Sequence, residues 1–341
     1  MPETNDWEGV RLHVVTGKGG AGKTTMAAAL ALALATSGRR VLLMEVEGRQ
    51  GLSRLFDVPP LPYEEKPLAV APGGGEVIGL AVDPEEALME YLEMFYNLRR
   101  AGTALKKIGA IDFATTIAPG IRDVLLTGKA KEAVRRKNAA GRPVFDAVVL
   151  DAPPTGRITK FLNVNHEVAG LARVGPIRNQ ADAVMEVIAS PLTAIHIVTL
   201  LEEMPVQETT DGVAELRAAA LPVGAIMVNM VRAPLLTKAA LGQALKGRLD
   251  LDQMAADLHL AGLAEGNSLV MAGTKMPLTN AVSALATEAG DHGERVALEQ
   301  RERAAVVELE RPTYDLPWLP DGIDLGALYV LAERLRSQGA A

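Results

Sequence analysis

A glycine-rich segment lies between a β-branched run and an alanine-rich run, and it constrains the fold more than any other feature. The run 11–16 (RLHVVT) is typical of a buried strand, and the run 23–37 favours a helix that ends near Gly38. The residues between them, 17–24 (GKGGAGKT), match the pattern G-x-x-x-x-G-K-[ST]. A strand, this loop and a helix in that order are the context of a Walker A phosphate-binding loop. The sequence therefore predicts a nucleotide-binding α/β fold.

The residue types in this loop suit phosphate binding. Glycines allow the backbone to curl so that several N–H groups point at phosphate oxygens, and the following helix presents its positive end to the same anion. We expect Lys23 to contact the β- and γ-phosphates and the hydroxyl of Thr24 to bind Mg²⁺. The predicted nucleotide contacts in the loop are Gly17, Gly19, Gly20, Ala21, Gly22, Lys23, Thr24 and Thr25.

Composition excludes several other classes of site. The 341 residues include no cysteine, which excludes disulfides, cysteine-ligated zinc and iron–sulfur clusters. The formal net charge of -7 argues against general nucleic-acid binding, which usually needs a basic excess. The longest apolar run, 27–35, is far shorter than the roughly 20 residues of a membrane-spanning helix. Because the N-terminus is polar and acidic, it lacks the plan of a signal peptide, and we expect a cytoplasmic protein.

Buried strand-like runs alternate with helical segments along the chain. This alternation predicts a doubly wound, mostly parallel sheet with helices on both faces, in a single P-loop domain over residues 1–341. A helical subdomain is expected as an insertion at 84–137, together with part of 157–190. A second helical, alanine-rich segment, 233–310, extends the domain before a C-terminal closing segment. The further predicted strands are 41–46, 76–82, 144–150, 194–200 and 223–228.

A second lysine, Lys18, follows the first glycine and makes the loop a deviant Walker A motif, K-G-G-x-G-K-T-T. With this motif the chain resembles the arsenical-pump and tail-anchored-protein-targeting ATPases (the ArsA/Get family), and in particular their actinobacterial anion-transporting branch. Further segments that resemble the family are 151–156 (DAPPTG, its switch II), 79–88 (GLAVDPEEAL), 118–121 (APGI), and 316–317 followed by 325–335.

The resemblance implies an ATPase that uses ATP and Mg²⁺ and works as a dimer, either with itself or with a paralogous ATPase subunit. Lys18 would cross the dimer interface and neutralise charge on the partner's nucleotide, as an arginine finger does. The alternative interpretation is that Lys18 is an ordinary solvent-exposed charge of the loop with no role at a partner's site. Asp151 would lie near the metal. A helical subdomain would engage a hydrophobic protein client or a membrane-protein partner.

The resemblance also implies an adenine site. Asn229 matches the asparagine that reads the base, with a strand-end turn or a helix cap as the alternative interpretation. Pro317, within 316–319 (LPWL), would belong to the segment that closes over the base.

Two glutamates replace the aspartates of the family's switch I. Alignment on 52–53 (LS) puts Glu47 where the family's aspartate orients the attacking water, and Glu45 where related ATPases carry another aspartate. Both are candidate catalytic residues, although they could also be a simple acidic pair at a strand end. Because a misplacement of about 1 Å can cost on the order of a hundredfold in rate, hydrolysis is expected to be slow or partner-dependent.

Three functions are compatible with these patterns. The first is an ATP-hydrolysing dimeric switch. The second is a nucleotide-dependent binding subunit of a heterodimer with little turnover of its own. The third is a ParA/MinD-like positioning ATPase, for which the C-terminal tail 329–341 offers few basic residues. Binding of a hydrophobic client would need a groove lined by flexible apolar side chains, for which methionine is well suited. The stretch 157–191, where such a groove is expected, contains only one methionine, Met185.

Overall fold

In the computed structural model, an eight-stranded sheet forms the core of the larger part of the chain. The described residues are 6–48, 50–87, 89–90, 119–171, 176–271 and 274–341. The strands of this sheet are β1 (Leu12–Gly17), β2 (Arg40–Glu45), β3 (Lys66–Val70), β4 (Glu76–Ala81), β5 (Ala147–Asp151), β6 (Thr193–Thr199), β7 (Val223–Val231) and β11 (Thr313–Pro317). Their order is β11-β7-β6-β1-β5-β2-β4-β3. All neighbouring strands are parallel except β3, which is antiparallel to β4.

Helices cover both faces of this sheet. The described helices of this part of the chain are α1 (Lys23–Ala35), α2 (Gly51–Leu55), α3 (Pro119–Arg135), α4 (Thr155–Leu171), α5 (Pro176–Ile188), α6 (Glu203–Ala218) and α10 (Leu325–Arg336). On one face α1 packs against α10, and on the other α3, α4 and α6 contact strands β5, β1 and β6. The mostly parallel sheet with flanking helices confirms the predicted α/β fold.

Apolar patterning explains why α1 and β1 lie at the centre. Every residue of β1 is buried, as expected for a parallel strand covered on both faces. Residues 26–35 of α1 are buried too, and their many alanines allow the helix to lie close to its neighbours. Helix α10 buries Leu328, Leu331, Ala332 and Leu335, which have the spacing of one helical face.

The six runs predicted as strands appear as β1, β2, β4, β5, β6 and β7. Two further strands, β3 and β11, form the edges of the sheet. Pro317 lies at the end of β11 rather than in an irregular loop.

The predicted insertion at 84–137 lies only partly within the described residues. Asp83 accepts hydrogen bonds from the backbone N–H groups of Glu85 and Glu86, both at 2.9 Å, and so caps the helical residues that follow. The next described helix, α3, begins at Pro119. Residues 91–118 lie outside the described residues, so the boundaries of this subdomain stay a prediction.

The chain forms two compact units. One comprises the residues up to Val231 together with Val306–Ala341, and the other is Arg232–Ala305. The second unit contains α7 (Lys238–Ala244), α8 (Leu251–Leu260), the larger part of α9 (Leu278–Val307) and a three-stranded antiparallel sheet. The strands of that sheet are β8 (Ala264–Glu265), β9 (Ser268–Met271) and β10 (Thr274–Pro277). The wholly helical pattern predicted for 233–310 is therefore wrong in its middle part.

Candidate nucleotide-binding site

The glycine-rich loop connects the end of β1 to the start of α1 at the carboxyl edge of the parallel strands, where ligands bind in open α/β sheets. Gly17 lies against β6, and a side-chain carbon there would overlap the backbone carbonyl of Val198. Gly20 and Gly22 have φ angles of 87° and 93°, which strongly favour glycine. Three of the four glycines predicted from the motif, Gly17, Gly20 and Gly22, are thus required by the backbone path of the loop.

Thr24 and Asp151 form the most direct contact between the loop and a neighbouring strand. Asp151 ends β5, and in the register of the sheet it pairs with Val15 of β1. The Thr24 hydroxyl donates a hydrogen bond of 2.7 Å to Oδ2 of Asp151. Lys23, beside Thr24 in the first turn of α1, is buried.

The electrostatics of Asp151 reflect this position. Burial raises the pKa of its carboxyl to about 6, the Thr24 hydrogen bond and the Lys23 charge act in the opposite direction, and the charges of Glu45 and Glu47 add to the increase. A nearby divalent cation would favour the ionised form.

The donor set at this point fits magnesium. A hydroxyl and a carboxylate are hard oxygen ligands, and they already lie within hydrogen-bond distance of each other. Among the described residues no group of three or more His, Cys, Asp or Glu side chains could hold a metal ion. Mg²⁺ characteristically needs only one or two protein oxygens, since phosphate oxygens and waters complete its shell.

The two switch I glutamates have different surroundings. Glu45 ends β2, pairs in register with Asp151 and is buried. Its carboxylate accepts hydrogen bonds from the backbone N–H groups of Gly51 at 3.0 Å and Leu52 at 3.2 Å, so it caps the start of α2. Glu47 is only half-buried, and its charge acts on Asp151. The capping contacts of Glu45 could not be read from the sequence, because the motif alignment gives no information on α2.

Lys18 is paired within its own chain. Its Nζ lies 3.1 Å from Oε1 of Glu208, a residue of α6. The other carboxylate oxygen of Glu208 lies 3.4 Å from the hydroxyl of Thr155, the first residue of α4. Glu208 belongs to no motif, so its role at the site could not be predicted from the sequence.

Asn229 is attached to the loop. Its side-chain amide donates to the backbone carbonyl of Ala21 at 2.9 Å, and its side-chain oxygen accepts from the N–H of Met230. A side-chain carbon on Gly22 would overlap the same amide. Pro317 lies at the same edge of the sheet, since β11 pairs with β7 and Pro317 is opposite Val231. The two residues predicted for the adenine site therefore lie on adjacent strands, and their contact with a base stays a prediction.

Comparison with known proteins identifies the family. The family model described as "Anion-transporting ATPase" matches residues 10–192 of this chain, which include the loop, the switch I glutamates and Asp151. The chain belongs to the anion-transporting ATPase family. ATPase BagA of Mycobacterium tuberculosis is 50% identical to it over 331 residues, which cover 97% of this chain and 94% of that protein.

Two more distant relatives are named as a Get ATPase and as an arsenical-pump ATPase. ATPase get3 of Schizosaccharomyces japonicus is 28% identical over 179 residues, covering 50% of this chain and 51% of the relative. The arsenical pump-driving ATPase of Acidiphilium multivorum is 25% identical over 234 residues, covering 63% of this chain and 38% of the relative. The predicted resemblance to the ArsA/Get ATPases is confirmed, and this family member is an ATPase. None of the described helices is long and apolar enough to span a membrane.

Proposed function

We propose that this anion-transporting ATPase family member is a dimeric molecular switch that couples ATP binding and hydrolysis to movement of its helices. The observation that carries the proposal is the position of Asp151. It contacts the loop through Thr24, and only three residues separate it from Thr155, where α4 begins. A change at the metal or the γ-phosphate would therefore reach α4, which packs against α3 and α5.

Hydrolysis would depend on positioning and charge stabilisation, as in other phosphoryl transfers. Magnesium held by Thr24 and Asp151 would neutralise charge on the phosphate oxygens. Lys23 would contact the same phosphates, and Glu47 would orient the attacking water. We assign the water to Glu47 because both carboxylate oxygens of Glu45 are already bonded to the start of α2.

The adenine base would lie at the edge formed by β7 and β11. The Asn229 amide group has two hydrogens, and the bond to Ala21 uses one of them. The second is suited to an acceptor nitrogen of the base. The backbone N–H of Trp318 donates a hydrogen bond of 2.9 Å to the Val231 carbonyl, which holds the segment after Pro317 beside the end of β7. Pro317 and the residues after it would therefore cover a base bound at this edge.

In the assembled dimer, Lys18 of one subunit would complete the site of the other. We propose either a homodimer or a heterodimer with a paralogous ATPase subunit, acting in the cytoplasm on a hydrophobic protein client or a membrane-protein partner. No nucleic-acid partner is proposed, in keeping with the net charge of -7.

A low-turnover binding subunit is the second candidate, and the bonding of Glu45 favours it. If only Glu47 is available, and it is a methylene longer than the family's aspartate, the chain would hold ATP for long periods and hydrolyse it slowly. A single-turnover assay separates the two functions: rapid hydrolysis by the purified chain alone would contradict the second.

The Lys18→Ala variant tests the switch. We expect it to keep its ATP affinity and to lose hydrolysis by the assembled dimer, whereas Lys66→Ala, which removes an exposed lysine paired with Glu64, should behave as wild type. Unchanged turnover in Lys18→Ala would refute the role of this lysine.

Mixing variants then shows whether Lys18 acts in its own site or in its neighbour's. A heterodimer of Lys18→Ala with Asp151→Asn contains one pocket with an intact metal site, and only its partner can supply the lysine. Random pairing makes about half of the dimers heterodimers, and each of these has one active pocket of two, so we expect an equimolar mixture to recover up to about a quarter of the wild-type activity. If Lys18 acts within its own chain, both pockets of the mixed dimer stay inactive.

A further inference from the structure

Glu208 connects two parts of the candidate site that no motif connects. It lies on α6, which packs beside α4, and each of its carboxylate oxygens has a different partner. Oε1 pairs with the ammonium group of Lys18 at 3.1 Å, and Oε2 accepts from the hydroxyl of Thr155 at 3.4 Å. One carboxylate thus joins the phosphate loop to the first residue of α4.

This arrangement conflicts with the role proposed for Lys18. An ammonium group held 3.1 Å from a carboxylate of its own chain has much of its charge neutralised and stays beside that carboxylate, so it is poorly placed to neutralise phosphate charge in another subunit. The Lys18–Glu208 pair must therefore break before Lys18 reaches across the interface. Since about a third of each side chain is exposed, at 30% and 38%, solvent screening keeps the pair weak enough to be reversible.

We propose that Glu208 is a positioning residue that holds Lys18 in its own subunit and releases it when the partner's nucleotide competes for the lysine. This inference rests on the proposed function. Release also leaves Thr155 as the remaining partner of Glu208, so departure of the lysine changes the contacts at the start of α4. Glu208 would then act as a latch that opposes premature dimerisation and makes it depend on nucleotide.

The strength of the latch sets the size of the expected effect. A partly exposed ion pair biases an equilibrium by about 1.4- to 5-fold. A homodimer breaks one such pair in each subunit, so the two factors multiply to about 2- to 30-fold. The variant Glu208→Gln removes the charge but keeps an oxygen that can accept from Thr155.

The same pair of helices provides a matched control. Glu215, two turns further along α6, accepts from the hydroxyl of Thr159 on α4, also at 3.4 Å, and it has no lysine partner in the described structure. The variant Glu215→Gln therefore removes a carboxylate from an equivalent contact between the helices without affecting Lys18.

The test measures the dimer dissociation constant by analytical ultracentrifugation, with Mg²⁺ and a non-hydrolysable ATP analogue. We expect Glu208→Gln to lower the dissociation constant about 2- to 30-fold relative to wild type, and Glu215→Gln to leave it unchanged. In the Lys18→Ala background Glu208→Gln should have no effect, because the latch then holds nothing. The difference between Glu208→Gln and wild type should also shrink as salt is added.

The possible failures are distinguishable. If wild type dimerises with the analogue and Lys18→Ala abolishes hydrolysis, but Glu208→Gln dimerises no more tightly than wild type, the latch is refuted and the proposed function survives. An equal effect of Glu208→Gln with and without Lys18 would show that Glu208 has only a structural role. If no variant and not even wild type dimerises or hydrolyses ATP, the proposed function fails and the latch fails with it.

Discussion

Two buried histidines at the centre of the sheet predict a steep loss of stability in mild acid. His13 of β1 and His196 of β6 are fully buried, with Nδ1 of His13 3.1 Å from Nε2 of His196. The backbone N–H of Ala225 donates to Nδ1 of His196, so the proton of the neutral His196 ring lies on Nε2 and is donated to His13. This chain of hydrogen bonds requires both rings to be neutral. Burial lowers the pKa of His13 to about 3 and holds the pKa of His196 well below its usual 6.5.

The sign and size of the effect follow from proton linkage. Both folded-state pKa values lie below the value in the unfolded chain, so below pH 6.5 the unfolded state binds more protons than the folded state. The stability present above pH 6.5 is lost progressively as the pH falls. Between pH 7 and pH 5 each histidine costs up to about 2 kcal/mol, and the pair costs up to about 4 kcal/mol.

The assay compares urea unfolding at pH 7 and pH 5 for wild type, His13→Asn/His196→Asn and Val15→Ala. Asparagine places an oxygen where histidine has Nδ1, so it keeps an acceptor for the Ala225 N–H and removes the titrating ring. The double variant should lose up to about 4 kcal/mol less than wild type between the two pH values. Val15→Ala, which creates a cavity beside the same strand, should be less stable than wild type at both pH values. Its free energy of unfolding should nevertheless fall by the same amount as that of wild type between pH 7 and pH 5. The raised pKa of Asp151 acts in the opposite direction, but it is common to all three proteins and cancels. If the double variant loses as much stability as wild type, the buried pair does not control the acid sensitivity.

Three further predictions concern the loop, switch I and the sheet edge. Gly22→Ala forces a left-handed φ on alanine and puts its side chain against a buried amide, so ATP affinity measured by calorimetry should fall at least about tenfold; an unchanged affinity would contradict the loop geometry. Glu45→Gln should destabilise the fold by about 1 kcal/mol through weaker capping of α2, while Glu47→Gln should keep its melting temperature and lose about a hundredfold in turnover; the reverse pattern would exchange their roles. Tyr314→Phe removes the acceptor 2.9 Å from the Trp7 indole N–H and should cost about 1–3 kcal/mol in urea, with partial recovery when Trp7→Phe is added.

Much of the central sheet could be predicted because its strands are buried on both faces and read as continuous apolar runs. The edges could not. Strand β3 contains Pro67 and is partly exposed, and β11 alternates buried and half-buried residues before Pro317. Edge strands tolerate proline and need no continuous apolar run, so their sequences look like loops. The short strands β8 to β10 have two to four residues, too few to show a period.

The residues of the candidate site fall into the same two groups: some can be predicted from a local motif, and others only from the tertiary structure. The glycines, Lys23 and Thr24 follow from the loop motif, because the chemistry of phosphate binding requires those residues at that spacing. The contacts of Glu45, Glu208 and Asn229 depend on which elements are neighbours in space, and no spacing in the sequence specifies them. A motif can show that a carboxylate follows a strand, but only the packed structure shows whether the carboxylate faces a ligand or caps a helix.

The register of the sheet explains how one small region could sense nucleotide and move helices. Asp151 pairs with Val15 on one side and with Glu45 on the other, so the ends of β1, β5 and β2 meet at the same point. Each of these strands is followed by a different element: the phosphate loop, the segment leading to α4, and the segment leading to α2. In the proposed switch, a change in charge at Asp151 would therefore act on three connections at once, while the strands that carry them are buried. Such a switch would need strands that stay in place, because the energy of a charge change at their ends would then act on the segments that follow them.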